Sequence, residues 1–358
     1  MLHIYLDTAL LSVPNYAYGI GLNNVQELID RVTHFSIILS EDLPLRIIVA
    51  DDVEGALAVD YPTHDNIQEF LEAEGLAHVY STNDLFQEYL SLLDRSARPQ
   101  DIGCFEVYSA SSFVSAPPLP AGLGPARLLS ETKRVFSAVA VHSGEPNTWL
   151  LGSSMNGTAG TTFDIAAVVE SASHDPSPRD GPLTFSFNRP AKLVENFLEL
   201  VNHSFANELW RSAQTAEELH LAISLGALAL RRSRFPGANW NSLRPFSIGS
   251  EFMASLREHD CGGTQNYSNT TFDLCARIIA NIGAAKVSAM GRPQQDRRTR
   301  DHAGALRSHI TTGNPALRLL LWETETHLEL ANVGVKKALY IEPGQQSPTA
   351  SVDLSALL

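Results

Sequence analysis

Apolar residues recur along the first hundred positions with two alternating periods. His3 to Leu11 alternates loosely and predicts a strand. Val25, Leu28, Ile29 and Val32 share one helical face and predict a helix over 23–33. Phe35 to Leu39 and Leu45 to Val49 are apolar, β-branched runs that predict strands. Two further helices are expected over 65–74 and 83–93, introduced by Thr63 or Asp65 and by Thr82 or Asn83 as caps. Strand and helix alternate, which implies an α/β domain. The run Ser109 to Pro125, rich in Pro, Gly and Ser, predicts a linker or domain boundary.

Beyond it the pattern predicts strands over Arg134 to His142 and Thr148 to Leu151, joined by a turn at Gly144 to Asn147, and another strand from Phe163 to Val169. Leu193, Val194, Phe197, Leu200, Val201 and Phe205 fall at helical spacing, so a long amphipathic helix is expected over Pro190 to Trp210. Helices follow over 216–233, 251–258 and 272–282, the first ending on Arg231, Arg232 and Arg234, where cations complement the helix dipole. Strands over 316–323, 327–333 and 335–341 form a β-meander. The expected architecture is α/β: an acidic α/β domain (1–115), a mixed α/β middle (126–210), a helical and β-meander domain (211–345) and a loose tail (346–358).

Glu131-Thr132-Lys133, the expected hairpin and the turn Gly152-Ser153-Ser154-Met155-Asn156 stand in an order that resembles one half of a phospholipase-D-like fold. In that family a strand carries His-x-Lys with a downstream Asp, and a hairpin leads to Gly-Ser-x-Asn. The resemblance covers about residues 126–210. Glu131 stands in place of the nucleophilic His, and Ala138 at the usual Asp spacing. It therefore implies a catalytically degenerate domain in which Lys133, Ser153 and Asn156 retain phosphate affinity. Separately, Asp7-Thr8 after a strand resembles the start of small acidic-site nucleases, though the sequence does not place the further carboxylates that such a site needs. Asp51, Asp52 and Glu54, after the strand at 45–49, suit a metal site or the start of a turn.

Charge is unevenly spread. The first 120 residues hold four Arg, no Lys and eighteen Asp plus Glu, which equals the whole net charge of −14. Such a domain repels nucleic acid and favours a protein partner, or a second copy of the chain with a basic patch. Against this background Lys286 to His309 carries Lys286, Arg292, Arg297, Arg298, Arg300 and Arg307, with Asp296 and Asp301 as its acids. Gly291, Pro293 and the Gln-Gln-Asp run mark a loop. A short helix is expected over 300–310, with Thr299 as its N-cap. Arginines at a loop-to-helix junction suit phosphate, which a guanidinium holds bidentately. Arg297, Arg298, Arg300, Arg307 and His309 are accordingly the candidate nucleic-acid contacts. The alternative is a solvated basic face that pairs with acids of the same chain.

A hydrophobic content of 44% with 18% charged residues suits a folded chain with a sizeable core. The first residues, MLHIYLDTALLSV, lack a basic n-region and include Asp7, unlike a signal peptide. No apolar run reaches membrane-spanning length. Cys104, Cys261 and Cys275 form no CxxC, which fits a reducing cytoplasm and no structural zinc site. No cofactor-binding motif is found, and no metal ligand set is assigned. The leading expectation is a nucleic-acid-associated subunit of a prokaryotic multiprotein system, with a defence role among its settings. One alternative is a hydrolase built from dispersed His259, Asp260, His302 and His309 with Asp296 or Asp301. The other is a structural interaction protein.

Overall fold

The computed structural model describes residues 2–13, 25–40, 43–102, 106–119, 126–142, 148–152, 162–173, 185–194, 197–283, 286–290, 297–336, 341 and 351–352. The fold is mixed α/β, and the chain divides into two compact units, Leu2–Glu199 and Leu200–Ala356.

In the N-terminal unit the order is β1 (Leu2–Leu6), α1 (Val25–Ser40), β2 (Leu45–Ile48), α2 (Val53–Leu57), α3 (His64–Ala73), α4 (Thr82–Arg95), β3 (Glu106–Ala116), α5 (Ala126–His142), β4 (Thr148–Gly152), β5 (Thr162–Ser173) and β6 (Phe185–Val194). Its strands make one six-stranded sheet in the order β2-β1-β4-β6-β5-β3. β2, β1, β4 and β6 run parallel, whereas β5 pairs antiparallel with both β6 and β3. The boundary expected between 115 and 126 is thus crossed by a continuous sheet. Residues 120–125 lie outside the described residues, and the first part of the segment read as a linker, through Ala116, belongs to β3, an edge strand. Its small residues accommodate three register shifts against β5, with Ser112 at positive φ.

Other expectations change for identifiable reasons. Phe35 to Leu39 continues α1. Arg134 to His142 lies in α5, where Val135, Phe136, Ala138, Val139 and Ala140 are all buried with Phe163, Ile165 and Leu193. A helix buried almost all round reads as a continuous apolar run, and burial overrides β propensity. The long helix expected over 190–210 is instead β6, a 3-10 turn at Phe197–Leu200 and α6 (His203–Ser212), capped by Asn202. Pro190 is tolerated because β4 pairs with β6 over 192–194 alone, leaving Pro190 on a locally open edge.

The C-terminal unit continues with α7 (Ala216–Arg232), β7 (Phe246–Ile248), α8 (Phe252–Glu258), α9 (Ser268–Ile279), β8 (Val287–Ala289), β9 (Gly304–His309), β10 (Leu317–Glu323) and β11 (Leu328–Val335). The sheet order is β7-β11-β10-β9-β8. Helix α7 is buried from Glu218 to Leu228 and packs on α6, α9 and β7. Gly226 permits its approach to α9, since a Cβ there would sit 2.6 Å from the Phe272 ring. The helix expected over 300–310 is strand β9, bonded on both sides by β8 and β10. The third meander strand expected over 335–341 lies mostly outside the described residues, and β11 ends at Val335. Part of the expected loose tail is docked: Val352 is buried, and its N–H donates to His220 Nδ1 at 3.4 Å. Among the described residues no helix is long and apolar enough to cross a membrane.

Candidate functional site

In the N-terminal unit the chemistry gathers at the carboxyl ends of the parallel strands. Asp7 follows β1, and its N–H bonds the Gly152 carbonyl at the end of β4, 2.8 Å away. Its side chain caps the 3-10 turn Thr8–Leu11 by accepting the Ala9 N–H at 3.1 Å. Helix α5 packs over this turn and brings Glu131-Thr132 against Asp7-Thr8. The two dipeptides are cross-bonded. Thr132 Oγ1 donates to both Asp7 oxygens at 3.1 and 3.3 Å, and Thr8 Oγ1 donates to Glu131 Oε1 at 3.4 Å. Asp7 is 2% exposed and Glu131 4%.

Arg134, one helical turn on, pairs with Glu131 Oε2 at 2.8 Å. Burial nevertheless raises the Glu131 pKa, with Asp52 adding to the rise and Arg134 and Thr8 opposing it. Asp52 is the N-cap of α2, accepting the Gly55 N–H at 2.9 Å, so the turn reading of that acidic run holds at this residue. The sheet order reverses between β1 and β4, because the chain first adds β2 on one side of β1 and later β4 on the other. Open α/β sheets bind ligands at such a switch point, beyond the carboxyl ends of the strands.

Glu131 and Lys133 therefore lie on a helix, where the phospholipase-D-like motif requires a strand. Lys133 is half-buried, its Nζ 5.9 Å from the Phe113 ring centroid. Ser153 and Asn156 lie outside the described residues.

In the C-terminal unit the basic stretch splits into two groups. A turn held by Arg298 N–H to Ala303 O (2.9 Å) and His302 N–H to Arg298 O (2.8 Å) leads into β9. From this turn Arg298, 6% exposed, reaches over the Trp322 ring at 5.2 Å and bridges two carboxylates. It donates to Asp301 at 2.9 and 2.5 Å and to Glu329 at 2.6 Å. Arg300 donates to the same Glu329 oxygen at 2.6 Å. Burial alone would lower the Arg298 pKa, but its bonds to Asp301 and Glu329 outweigh that and raise it; in turn Arg298 lowers that of Asp301. Arg298 and Arg300 are thus committed to internal pairs, which realises the alternative reading of the basic stretch at these two positions.

Arg297 is exposed beside a cavity that also takes in Asp301, His302 and Glu323. Arg307 and His309 are exposed on β9. His309 lines a separate cavity with Arg277 and Lys286. Partial desolvation and the nearby charges of Arg318, Arg307 and Lys336 hold its pKa below the ordinary imidazole value. His302 and His309 accordingly face different cavities. His259 caps α8, and Asp260 accepts from Gln265 at 3.4 Å. Asp296 lies outside the described residues. Among the described residues no group of three or more His, Cys, Asp or Glu could hold a metal ion.

The sequence reading considered Asp7 and Glu131 separately and missed their pairing. It also missed Glu329 as the acceptor and Arg277 as a candidate cation. No local pattern signals contacts that span 123 and 125 residues. Arg277 could have been found as the exposed position beside Leu274, Ile278 and Ile279 on α9. No protein-family model, curated protein or solved structure matches this chain.

Proposed function

We propose that the chain is a nucleic-acid-associated protein whose N-terminal unit carries a phosphodiester-hydrolase-type acidic centre at Asp7 and Glu131. The supporting observation is the buried, cross-bonded pair Asp7-Thr8 and Glu131-Thr132 at the switch point of a parallel sheet. A structural cross-link would serve at lower cost with neutral groups, because burying a carboxylate is costly even when it is paired, as Glu131 is with Arg134. Glu131 carries the sign of that cost in its raised pKa.

The donor set does not suit a cation caged wholly by protein. It suits Mg2+, which takes one or two carboxylates and completes its shell with water and substrate phosphate. Asp7 and Glu131 would hold the ion, and it would supply polarisation of a phosphoryl oxygen. Thr8 and Thr132 orient the two carboxylates, and Arg134 balances the charge of Glu131.

The test is cleavage of single- and double-stranded DNA and RNA by the purified chain with Mg2+ or Mn2+, against a chelator control. Cleavage should stop on chelation and fall by about a hundredfold or more in Asp7→Asn and Glu131→Gln. Independently of turnover, Mg2+ should raise the melting temperature of the wild type and not of Asp7→Asn. Absence of both cleavage and the cation-dependent melting shift overturns the proposal.

A further inference from the structure

A cavity of about 730 Å3 opens between α9 and the β8–β9 strands of the C-terminal unit. Arg277 enters from α9, and Lys286 and His309 from the strand side. Arg277 and Lys286 are exposed and make no ion pair among the described residues. The carboxylate in the lining, Asp273, sits 3.1 Å from His203 Nε2. Thr270 and Ser288 add hydroxyls, and Leu274 supplies an apolar wall. The field around His309 is positive, with Arg307, Arg318 and Lys336 acting on it. The concavity has the size of a small-ligand site and combines an apolar wall with a few polar groups. Its cations converge on one hollow instead of tracking along a ridge, as a polymer backbone would require.

We propose that this cavity binds a small phosphate-bearing ligand of mononucleotide size, its phosphate held by Arg277, Lys286 and the imidazole of His309. Arg277 can grip two phosphate oxygens at once, while Lys286 serves as a point charge.

The test is calorimetric titration of the full chain with ATP in the presence of a chelator, with a single-stranded oligonucleotide titrated in parallel. ATP should bind saturably. Arg277→Ala and Lys286→Ala should each weaken it by about tenfold or more, and the double substitution should abolish it. Arg257→Ala, on α8 and outside the lining, should leave affinity within about twofold, and melting curves of all variants should match the wild type. No saturable ATP binding, unchanged binding in the double variant, or binding of the oligonucleotide without ATP overturns the proposal. The acidic centre is read by cation-dependent cleavage and this site by metal-free binding, so either can fail without the other.

Discussion

Two groups of cations from one basic stretch meet opposite fates. Arg298 and Arg300 converge on a single oxygen of Glu329, which is 3% exposed, and Arg298 adds Asp301 and the face of Trp322. Lys286, Arg307 and His309 lie on β9 or next to β8, exposed and without ion pairs among the described residues. The difference is one buried carboxylate on a neighbouring strand: Glu329 stands opposite Trp322 in the β10–β11 register, within reach of the turn that carries both arginines. A run of positive charge therefore does not define a binding surface. The surface is what remains after internal acceptors have taken their share.

The largest expected effect comes from removing that acceptor. Glu329→Gln leaves the buried Arg298 with Asp301 as its remaining counter-charge, removes the acceptor of Arg300, and should destabilise the C-terminal unit by about 3 kcal/mol, read by denaturant unfolding. A loss below about 1 kcal/mol would break the comparison, because Arg298 would then be no more committed than Arg307. Arg298→Ala should cost less, about 2–3 kcal/mol, since Glu329 keeps Arg300. Its melting temperature should fall clearly below that of Arg307→Ala.

Acid should separate the contributions further. His220 is buried and neutral, its pKa lowered to about 4 from an ordinary 6.5 chiefly by burial. The unfolded chain binds that proton first, so stability should fall as pH drops from 6.5 towards 4. The sign for Asp301 is that of a depressed carboxyl: its contribution is present above its ordinary value of 3.8 and lost as pH falls through the lower folded value. Arg298→Ala should remove this last phase and keep the His220 phase; a pH profile unchanged by the substitution would contradict the pairing. The smallest effect is Arg307→Ala, expected within about 0.5 kcal/mol of the wild type in the same unfolding experiment.

Much of the fold was legible where neighbours in sequence are neighbours in space. Helices α3, α4, α7 and α8 and strands β2, β4, β10 and β11 lie close to where periodicity places them, and Thr63 caps α3 as its position suggested. The failures share a cause. Helix α5 was read as a strand because its burial comes from a sheet assembled from strands distant in sequence. The segment around Pro190 was read as a helix because its strand character depends on which neighbour pairs where. Arg307 and His309 were recognised from their charge, but only the β8–β9–β10 register sets them apart from Arg298 and Arg300. Glu131 stands in the sequence as a replacement for a histidine, whereas in the fold it pairs with Arg134 and, across 123 residues, accepts from Thr8.

The order of strands in the N-terminal sheet also governs when the unit can form during synthesis. β1 emerges first, yet its neighbour β4 arrives only at residues 148–152, and β3 waits for β5 at 162–173. Until then the nascent chain holds a half-paired central strand and an unpaired edge, the surfaces that chaperones and misassembly compete for. A chain stopped at residue 119 would not be a smaller domain. It would be an arrested intermediate, with Asp7 in place and the helix that carries Glu131 not yet made.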